Sequence, residues 1–185
     1  MRIAVYSGSF NPLHVGHLAI MEYLSAWDGA DWTYLVVSPQ NPLKDAEAAA
    51  NGKERYLAAL SALERHPQLR VWLDDIEMRM PPPSYTIRTL DTLRRKEPHN
   101  EFFLVIGGDN LSNIRRWREY RRILLEYGVA VYPREGFDLD ALRASLLAED
   151  TSYRITLLDC PLVNISSTQI RETLARGGDV SAWLM

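Results

Sequence analysis

Short apolar, β-rich runs alternate along this chain with longer segments of helical periodicity. Strands are expected near 2–7, 32–38, 69–73, 101–107, 128–132 and 154–158. Helices are expected near 15–26, 53–65, 85–96, 112–126, 139–149 and 168–176. The run Phe102–Ile106 is almost entirely apolar, as in a strand that is covered on both faces. This alternation is typical of an α/β fold with a mainly parallel sheet and helices on both faces.

Length and charge favour one domain with a small-molecule partner. The 185 residues are enough to bury a full core, so we expect a single domain over residues 1–185. A net charge of −3 is unusual for a general nucleic-acid binder, which is more often basic. No uncharged apolar run approaches the roughly 18 residues of a membrane span, and no signal-peptide pattern precedes the first strand. The only cysteine, Cys160, excludes an intrachain disulfide and fits a cytoplasmic location.

The first loop combines residue types that bind anions. Gly8 and Ser9 let the backbone approach a ligand closely, and the helix that follows offers N–H groups with a partial positive charge. His14 and His17 are three residues apart, so both lie on one face of the first helical turn. Such a pair alone is more often part of a metal site, but zinc needs further ligands. The strand, glycines and proline around this pair favour a phosphate site instead.

A second helix start, Ile165–Arg171, carries three hydroxyl side chains in succession. Ser166, Ser167 and Thr168 can cap the helix or bind a ligand, and Arg171 lies one turn in. From this stretch alone a helix cap is the simpler interpretation, although both uses share the same helix end. Two such starts in one small chain predict a polyphosphate substrate.

Three loops are expected at the same edge of the sheet. In open α/β sheets, ligands bind outside the carboxyl ends of the strands. The loop 8–17, the proline-rich loop 38–44 and the segment Gly107–Asp109 each follow a predicted strand. The unusual residues of the chain therefore lie where this architecture binds ligands.

These residues resemble the nucleotidyltransferases that carry a histidine-x-glycine-histidine motif and, more narrowly, the bacterial nicotinate-nucleotide adenylyltransferases. The resemblance covers nearly the whole chain and keeps the order of the motifs. The motifs are Gly8–His17, Asn41–Lys44, Glu77 with Ser84–Ile87, Gly107–Asp109, Trp117, Tyr132–Gly136 and Ile165–Arg171. Two features depart from the family: Arg88 stands where an aspartate is common, and the sequence ends at Ala182–Met185 where the family tends to continue with a short hydrophobic tail.

The resemblance implies a single-domain, doubly wound, Rossmann-like fold and an adenylyl transfer. ATP and nicotinate mononucleotide would give nicotinate adenine dinucleotide and pyrophosphate, in NAD biosynthesis. The nucleophile would be a 5′-phosphate, whose second pKa is about 6, so no general base is needed. Two anions must be held in line, and catalysis is expected from positioning and positive charge.

The resemblance also assigns residues to the two substrates. Those expected at ATP are Gly8, Ser9, Phe10, His14, His17, Asp109, Ser166, Ser167, Thr168 and Arg171. Those expected at the mononucleotide are Asn41, Lys44, Tyr85, Thr86, Trp117 and Arg134. The catalytic subset consists of His14, His17, Lys44 and Arg171. Mg²⁺ is the expected cofactor, held by ATP oxygens and water rather than by protein side chains.

Alternatives of two classes stay open. A sibling transferase would use nicotinamide mononucleotide, pantetheine phosphate or a cytidylyl donor, and Ser84–Ile87 with Trp117 argues against the last two. Backbone donors around Thr86 suit an acid, but they leave no sequence signature. A non-catalytic nucleotide- or RNA-binding module would use the arginines around Trp117, although a solvated helical face is the simpler interpretation. No nucleic-acid or membrane partner is expected, and a homo-oligomer is left open.

The acidic stretch after the third predicted strand has two interpretations as well. Asp74, Asp75 and Glu77 resemble paired carboxylates for acid–base catalysis. An acidic loop at the end of a strand is the simpler interpretation, because the implied reaction needs no such pair.

Overall fold

Six parallel strands form the centre of the computed structural model, which describes residues 1–39 and 52–185. The strands are β1 (Arg2–Gly8), β2 (Trp32–Val37), β3 (Val71–Asp74), β4 (Glu101–Gly107), β5 (Val129–Tyr132) and β6 (Ile155–Leu157). Their order is β3-β2-β1-β4-β5-β6, and every neighbouring pair is parallel. The predicted α/β fold is confirmed, and the strand ends agree with the prediction to within two residues.

Helices follow most of the strands. They are α1 (Val15–Ala26), α2 (Gly52–Glu64), α3 (Ile76–Arg79), α4 (Thr86–Lys96), α5 (Gly108–Asn113), α6 (Tyr120–Arg122), α7 (Leu139–Glu149) and α8 (Ser167–Ala175). Single 3-10 turns lie at Ile114–Arg116 and Ser181–Trp183, and a π-helical turn lies at Ile123–Tyr127. Within the two described ranges, no helix has both the length and the apolar character to cross a membrane.

The predicted helix 112–126 is wrong. The chain there forms α5, a 3-10 turn, α6 and the π-helical turn, and two residues between them leave helical conformation. Trp117 is extended (φ −78°, ψ 143°), and Glu119 is left-handed (φ 52°, ψ 37°). Ile114 and Ile123 are nevertheless fully buried, so the helical spacing of apolar residues is satisfied by short turns. The break has a consequence for the site, because it lets Trp117 line the central cavity.

Two apolar layers cover the sheet. On one face, Ile3, Val5 and Leu104 pack with residues of α4, α5 and α7. On the other face, Val105 is one of the strand residues that pack with α1 and α2. Helices on both faces make the fold doubly wound, as predicted. The order of the strands reverses at β1, which pairs with β2 on one side and β4 on the other. Ligands of such sheets bind at this reversal, outside the carboxyl ends of the strands.

Thr33 provides a stability test of the sheet. Its side chain is 1% exposed, and its hydroxyl has no hydrogen-bond partner among the described residues. Thr33→Val keeps the shape and removes the desolvation cost of that hydroxyl, so we expect the free energy of unfolding to rise by about 1 kcal/mol. Thr89→Val is the matched control, because the equally buried Thr89 hydroxyl donates to Glu77 (2.9 Å). Chemical denaturation should show a higher free energy of unfolding for Thr33→Val and a lower one for Thr89→Val. A lower value for both variants would show that the Thr33 hydroxyl is not a destabilising group.

Candidate functional site

A cavity of about 410 Å³ opens at the carboxyl ends of β1 and β4. Most of the predicted site residues line it, namely Gly8, Ser9, Phe10, His14, His17, Tyr85, Thr86, Asp109, Trp117, Arg134, Ser166, Ser167 and Thr168. The two predicted halves of the site therefore meet in one space. Asn41 and Lys44 lie outside the described residues. Among the described residues, no three His, Cys, Asp or Glu side chains form a group that would hold a metal ion.

His14 and His17 are held by backbone amides at the start of α1. The Gly16 N–H donates to Nδ1 of His14, and the His14 N–H donates to Nδ1 of His17, each at 3.1 Å. The two rings stack, with centroids 3.7 Å apart. In a neutral imidazole, an Nδ1 that accepts a hydrogen bond leaves the proton on Nε2. The backbone thus fixes the tautomer of both rings and leaves two Nε2–H donors for a ligand.

Both imidazoles are neutral in the free protein. Burial lowers the pKa of His14 to about 4, and the charge of Arg134 adds to the effect. Burial, followed by the neighbouring His14 and Arg134, holds the pKa of His17 well below its usual range. The expectation that N–H groups at this helix end bind the ligand stays a prediction for the remaining groups, but it does not hold for those of His14 and Gly16. These two N–H groups donate to the Nδ1 atoms of the imidazoles, so the Nε2–H groups are the donors that stay available to a ligand.

Glycines allow this packing at two places. A Cβ on Gly16 would lie 2.9 Å from Cε1 of His14 and 3.2 Å from Cγ2 of Ile165. A Cβ on Gly8 would lie 3.1 Å from the ring of Phe10, whose own backbone is left-handed (φ 44°). Side chains at these glycines would displace the ring of His14 and the ring of Phe10.

The second predicted motif begins helix α8 and touches the first loop. Ser166 caps α8 by accepting from the Gln169 N–H (3.1 Å), so the capping interpretation is correct. The Ser167 hydroxyl donates to the carbonyl of Pro12 (3.1 Å). Arg171 does not line the cavity; its guanidinium donates to the carbonyl of Asn11 (2.7 Å) and to Oγ1 of Thr168 (3.2 Å). The motif therefore also fastens the loop after β1.

Asp109 and Arg134 face each other across the cavity wall. Arg134 Nε lies 3.5 Å from Asp109 Oδ1, an atom that is buried without a hydrogen-bond partner among the described residues. A Cβ on Gly107 would lie 2.5 Å from the same oxygen, so this glycine makes room for the carboxylate. The Asp109 side chain is 40% exposed despite this buried oxygen, so its carboxylate can still offer an acceptor to a ligand hydroxyl, while Arg134 lies beside the residues predicted for ATP.

The start of α4 forms the opposite end of the cavity. Tyr85 is the N-cap residue, but no side chain caps the helix. The Ser84 hydroxyl is buried without a hydrogen-bond partner in the described part of the chain. Arg118 lies over the ring of Tyr85, with its guanidinium carbon 4.9 Å from the ring centre. An uncapped helix start, a buried hydroxyl and an arginine together suit an anionic group.

Several residues of the lining are not among the predicted site residues, although Glu77, Ser84 and Tyr132 belong to the quoted motifs. The full set consists of Tyr6, Ser7, Ser38, Glu77, Ser84, Asn110, Arg116, Arg118 and Tyr132, with apolar residues of β4. Glu77 also corrects the acidic-loop interpretation, because it lies in helix α3 and its side chain is 2% exposed. Its position ahead of Ser84–Ile87 in the family pattern is the available signal. Arg88, one departure from the family pattern, donates to the carbonyls of Pro81 (3.4 Å) and Pro83 (3.2 Å).

A titration tests the neutral state of His14. Its imidazole should accept a proton only near pH 4, whereas the unfolded chain takes one up near pH 6.5. Between these values the unfolded state binds more protons, so this group makes the folded state less stable as the pH falls. NMR titration of the imidazole signals, with His14→Asn to assign them, measures the pKa directly. Protonation of His14 near pH 6.5 would contradict the described packing.

Comparison with known proteins shows which sequences this chain resembles. The family model described as cytidylyltransferase-like matches residues 5–173. A probable nicotinate-nucleotide adenylyltransferase of Bacteroides fragilis is 39% identical over 183 residues, which are 99% of this chain and 87% of that protein. One from Flavobacterium johnsoniae, also described as probable, is 35% identical and covers 100% of this chain and 92% of the relative.

A solved structure shows the same fold. The Plasmodium falciparum nicotinic acid mononucleotide adenylyltransferase complexed with NaAD superposes with a TM-score of 0.80 at 17% identity, covering 99% of this chain and 90% of that one. The same enzyme complexed with APC gives a TM-score of 0.76. Full-length relatives at this level of identity, together with the family model, establish that the chain belongs to the cytidylyltransferase-like family and, within it, to the nicotinate-nucleotide adenylyltransferases.

Proposed function

We propose that this protein transfers the adenylyl group of ATP to nicotinate mononucleotide, giving nicotinate adenine dinucleotide and pyrophosphate in NAD biosynthesis. The observation that carries the proposal is the single cavity in which the His14–His17 pair meets the α4 start and Trp117. Family membership over the full chain supports the same reaction.

The chemistry asks for alignment rather than for a strong base. The phosphate of the mononucleotide attacks the α-phosphorus of ATP, and pyrophosphate leaves with its electron pair. A 5′-phosphate with a second pKa of about 6 is mostly dianionic at neutral pH, so no residue has to deprotonate it. Fixed donors that face the developing charge lower the barrier without reorganisation. The two Nε2–H groups of His14 and His17 are donors of this kind.

The ATP end combines these donors with the two helix starts. We assign the phosphates of ATP to His14, His17 and the α8 start, with Arg171 close to the loop that carries them. Asp109 lines the cavity with a partly exposed carboxylate, which suits a ribose hydroxyl. Arg134 lies next to Asp109 and lowers the pKa of His14. On this geometry we propose that Arg134 contacts ATP rather than the mononucleotide.

The mononucleotide end offers features for a charged pyridine ring with an acidic substituent. Trp117 provides a flat surface for stacking with a cationic ring, worth about 1 kcal/mol or more. The uncapped α4 start at Thr86 and the buried Ser84 hydroxyl can donate to a carboxylate. An amide NH₂ in the same place would face donors and lose its own hydrogen bonds. Arg118 adds positive charge at this end, which favours the acid over the amide.

Mg²⁺ fits this site as a partner of ATP. The carboxylates that line the cavity, Asp109 and Glu77, do not form a cage with a third ligand among the described residues. Mg²⁺ commonly retains water and binds substrate phosphates, so this donor set suits an ion carried by ATP. When bound, the ion would neutralise phosphate charge, while the histidines and the helix starts orient the phosphates. The role of Lys44 at the reacting phosphates and the cytoplasmic location stay predictions, and a homo-oligomer stays open.

The alternatives make different predictions for one assay. Pyrophosphate release is measured with ATP and Mg²⁺, using nicotinate mononucleotide and nicotinamide mononucleotide in parallel. Turnover with the acid, at a much higher kcat/KM than with the amide, supports the proposal. Comparable turnover with both would indicate a sibling specificity. Tight nucleotide or RNA binding without pyrophosphate release would favour the non-catalytic module.

His17→Ala tests the phosphate role of the imidazole pair. The variant loses one fixed Nε2–H donor, so we expect kcat to fall by at least about a hundredfold. Circular dichroism should show an intact fold. His99→Ala is the matched control, because His99 is exposed and outside the cavity lining. An unchanged kcat in His17→Ala would refute the role.

Trp117→Ala tests the stacking assignment. The variant should raise KM for the mononucleotide by about fivefold or more, since about 1 kcal/mol of stacking is lost, while KM for ATP changes little. Trp72→Ala is the control, because Trp72 lies 61% exposed on the edge strand β3. Equal losses for both substrates would show that Trp117 supports the site as a whole rather than the pyridine ring.

A further inference from the structure

A buried carboxylate with three hydroxyl partners lies beneath the α4 end of the cavity. Glu77, at the start of α3, accepts hydrogen bonds from Thr89 (2.9 Å) and Ser7 (3.1 Å) through Oε1 and from Ser38 through Oε2. The hydroxyls of Ser7 and Ser38 are also 3.1 Å apart. We call these four residues the Glu77 cluster. The cluster joins the carboxyl ends of β1 and β2 to α3 and α4.

The contacts suit the ionised form of Glu77. An ionised carboxylate only accepts hydrogen bonds, so it can satisfy all three hydroxyl donors at once. Burial raises the pKa of Glu77 above its usual value, and the hydrogen bonds from Ser38, Thr89 and Ser7 offset part of that rise. The hydroxyl partners therefore keep a desolvated negative charge in place.

Charged groups on the surrounding elements are engaged elsewhere. Arg55 of α2, 5% exposed, donates to the carbonyls of Ser9, Ser38 (2.8 Å) and Pro39 (3.1 Å). The other charged neighbours in sequence are also bonded: Asp74 accepts from the Ile76 N–H (2.7 Å), Asp75 pairs with Arg79, and Arg88 of α4 donates to Pro81 and Pro83. Ser38 thus lies between a buried cation on its carbonyl and the Glu77 carboxylate on its hydroxyl.

Core packing alone does not explain a charge at this place. Burying an ion costs free energy, and an apolar group of the same shape is often as stable or more stable. Each partner of Glu77 instead lies close in sequence to a predicted substrate residue. Ser7 precedes Gly8 and Ser9 in the first loop, and Thr89 lies one helical turn after Thr86. The carboxylate is the shared acceptor that sets the distance between these two ends of the cavity.

We infer that Glu77 is a positioning residue for the mononucleotide, because its carboxylate fixes the start of α4 against the ends of β1 and β2. The inference rests on the proposed function, since it concerns the binding of the second substrate. Glu77 acts through Ser7, Ser38 and Thr89 and not by proton transfer. The histidines and α8 form no hydrogen bond with the cluster in the described ranges.

Glu77→Gln tests the role of the charge while it keeps the volume. The neutral amide removes the charge that strengthens these hydrogen bonds and turns one acceptor oxygen into an N–H donor, so the start of α4 is held less tightly. We expect KM for nicotinate mononucleotide to rise by at least about tenfold, the scale of one hydrogen bond to a charged group. KM for ATP should rise several-fold less than KM for the mononucleotide, because His14, His17 and the α8 start keep hydrogen bonds that do not involve the cluster.

Asp91→Asn is the matched control. Asp91 is also a hydrogen-bonded carboxylate of this region, lying on α4, but it pairs with Arg122 (3.0 Å) and Tyr127 outside the cavity. Its loss should lower the melting temperature without changing the ratio of the two KM values. Melting temperatures of both variants separate a change in stability from a change in substrate positioning.

Variants of Thr89 provide a readout that a merely structural role would not change. Thr89→Val removes a donor that stabilises the ionised carboxylate, so the pKa of Glu77 rises further. The acidic limb of kcat/KM for the mononucleotide should therefore move to higher pH. Thr89→Ser keeps the hydroxyl, so its acidic limb of kcat/KM should lie at the same pH as in the parent protein. The substrate phosphate and His14 titrate in all these proteins, so the comparison between variants removes their contribution.

The outcomes separate this inference from the proposed function. A selective rise in the mononucleotide KM, together with the shifted acidic limb in Thr89→Val, supports the positioning role. An active parent whose KM ratio is unchanged in Glu77→Gln overturns the inference and leaves the proposed function standing. A parent that releases no pyrophosphate from ATP and nicotinate mononucleotide overturns both.

Discussion

The pairing of β1 with strands on both of its sides is the constraint on which the site depends. Because β2 and β4 flank β1, the segments that follow β1 and β4 leave the sheet toward opposite faces and open a crevice between them. The histidine loop follows β1, and Asp109 follows β4. Gly8 and Gly107 end these strands, where a side chain would meet Phe10 or Asp109. The cavity is thus a product of strand order, and the small residues keep it open.

The electrostatics of this cavity differ from a simple cluster of cations. His14 and His17 are neutral, because burial and a nearby arginine disfavour their protonated forms. Their value to an anion lies in two oriented N–H groups, whose tautomers are fixed by backbone amides. Positive charge is supplied separately, by Arg134 and Arg118 at the two ends. A protein with a net charge of −3 can therefore present a local site for polyanions without a basic surface.

The sequence predicts the sheet, because strands have local signatures, and the glycines, helix starts and family resemblance together predict about half of the residues that line the cavity. It fails where tertiary contacts decide. The spacing of Ile114 and Ile123 fits a continuous helix, yet short turns bury both residues and release Trp117 into the cavity. Glu77 follows two other acidic residues, so its local composition indicates an acidic loop. Its burial depends on Ser7 and on other hydroxyls that are distant in sequence, so only its place in the family pattern, and not its local composition, points to the site.

The open start of α4 makes this helix incomplete in the free protein. No side chain caps it at Tyr85, and the adjoining Ser84 hydroxyl has no partner among the described residues. A carboxylate that docks there would take the place of the missing cap, so the ligand would supply part of the secondary structure. Binding of the carboxylate and ordering of the first turn of α4 would then be coupled, so fraying of that turn would lower the apparent affinity. The pocket would therefore select a ligand partly by how well that ligand stabilises the start of α4.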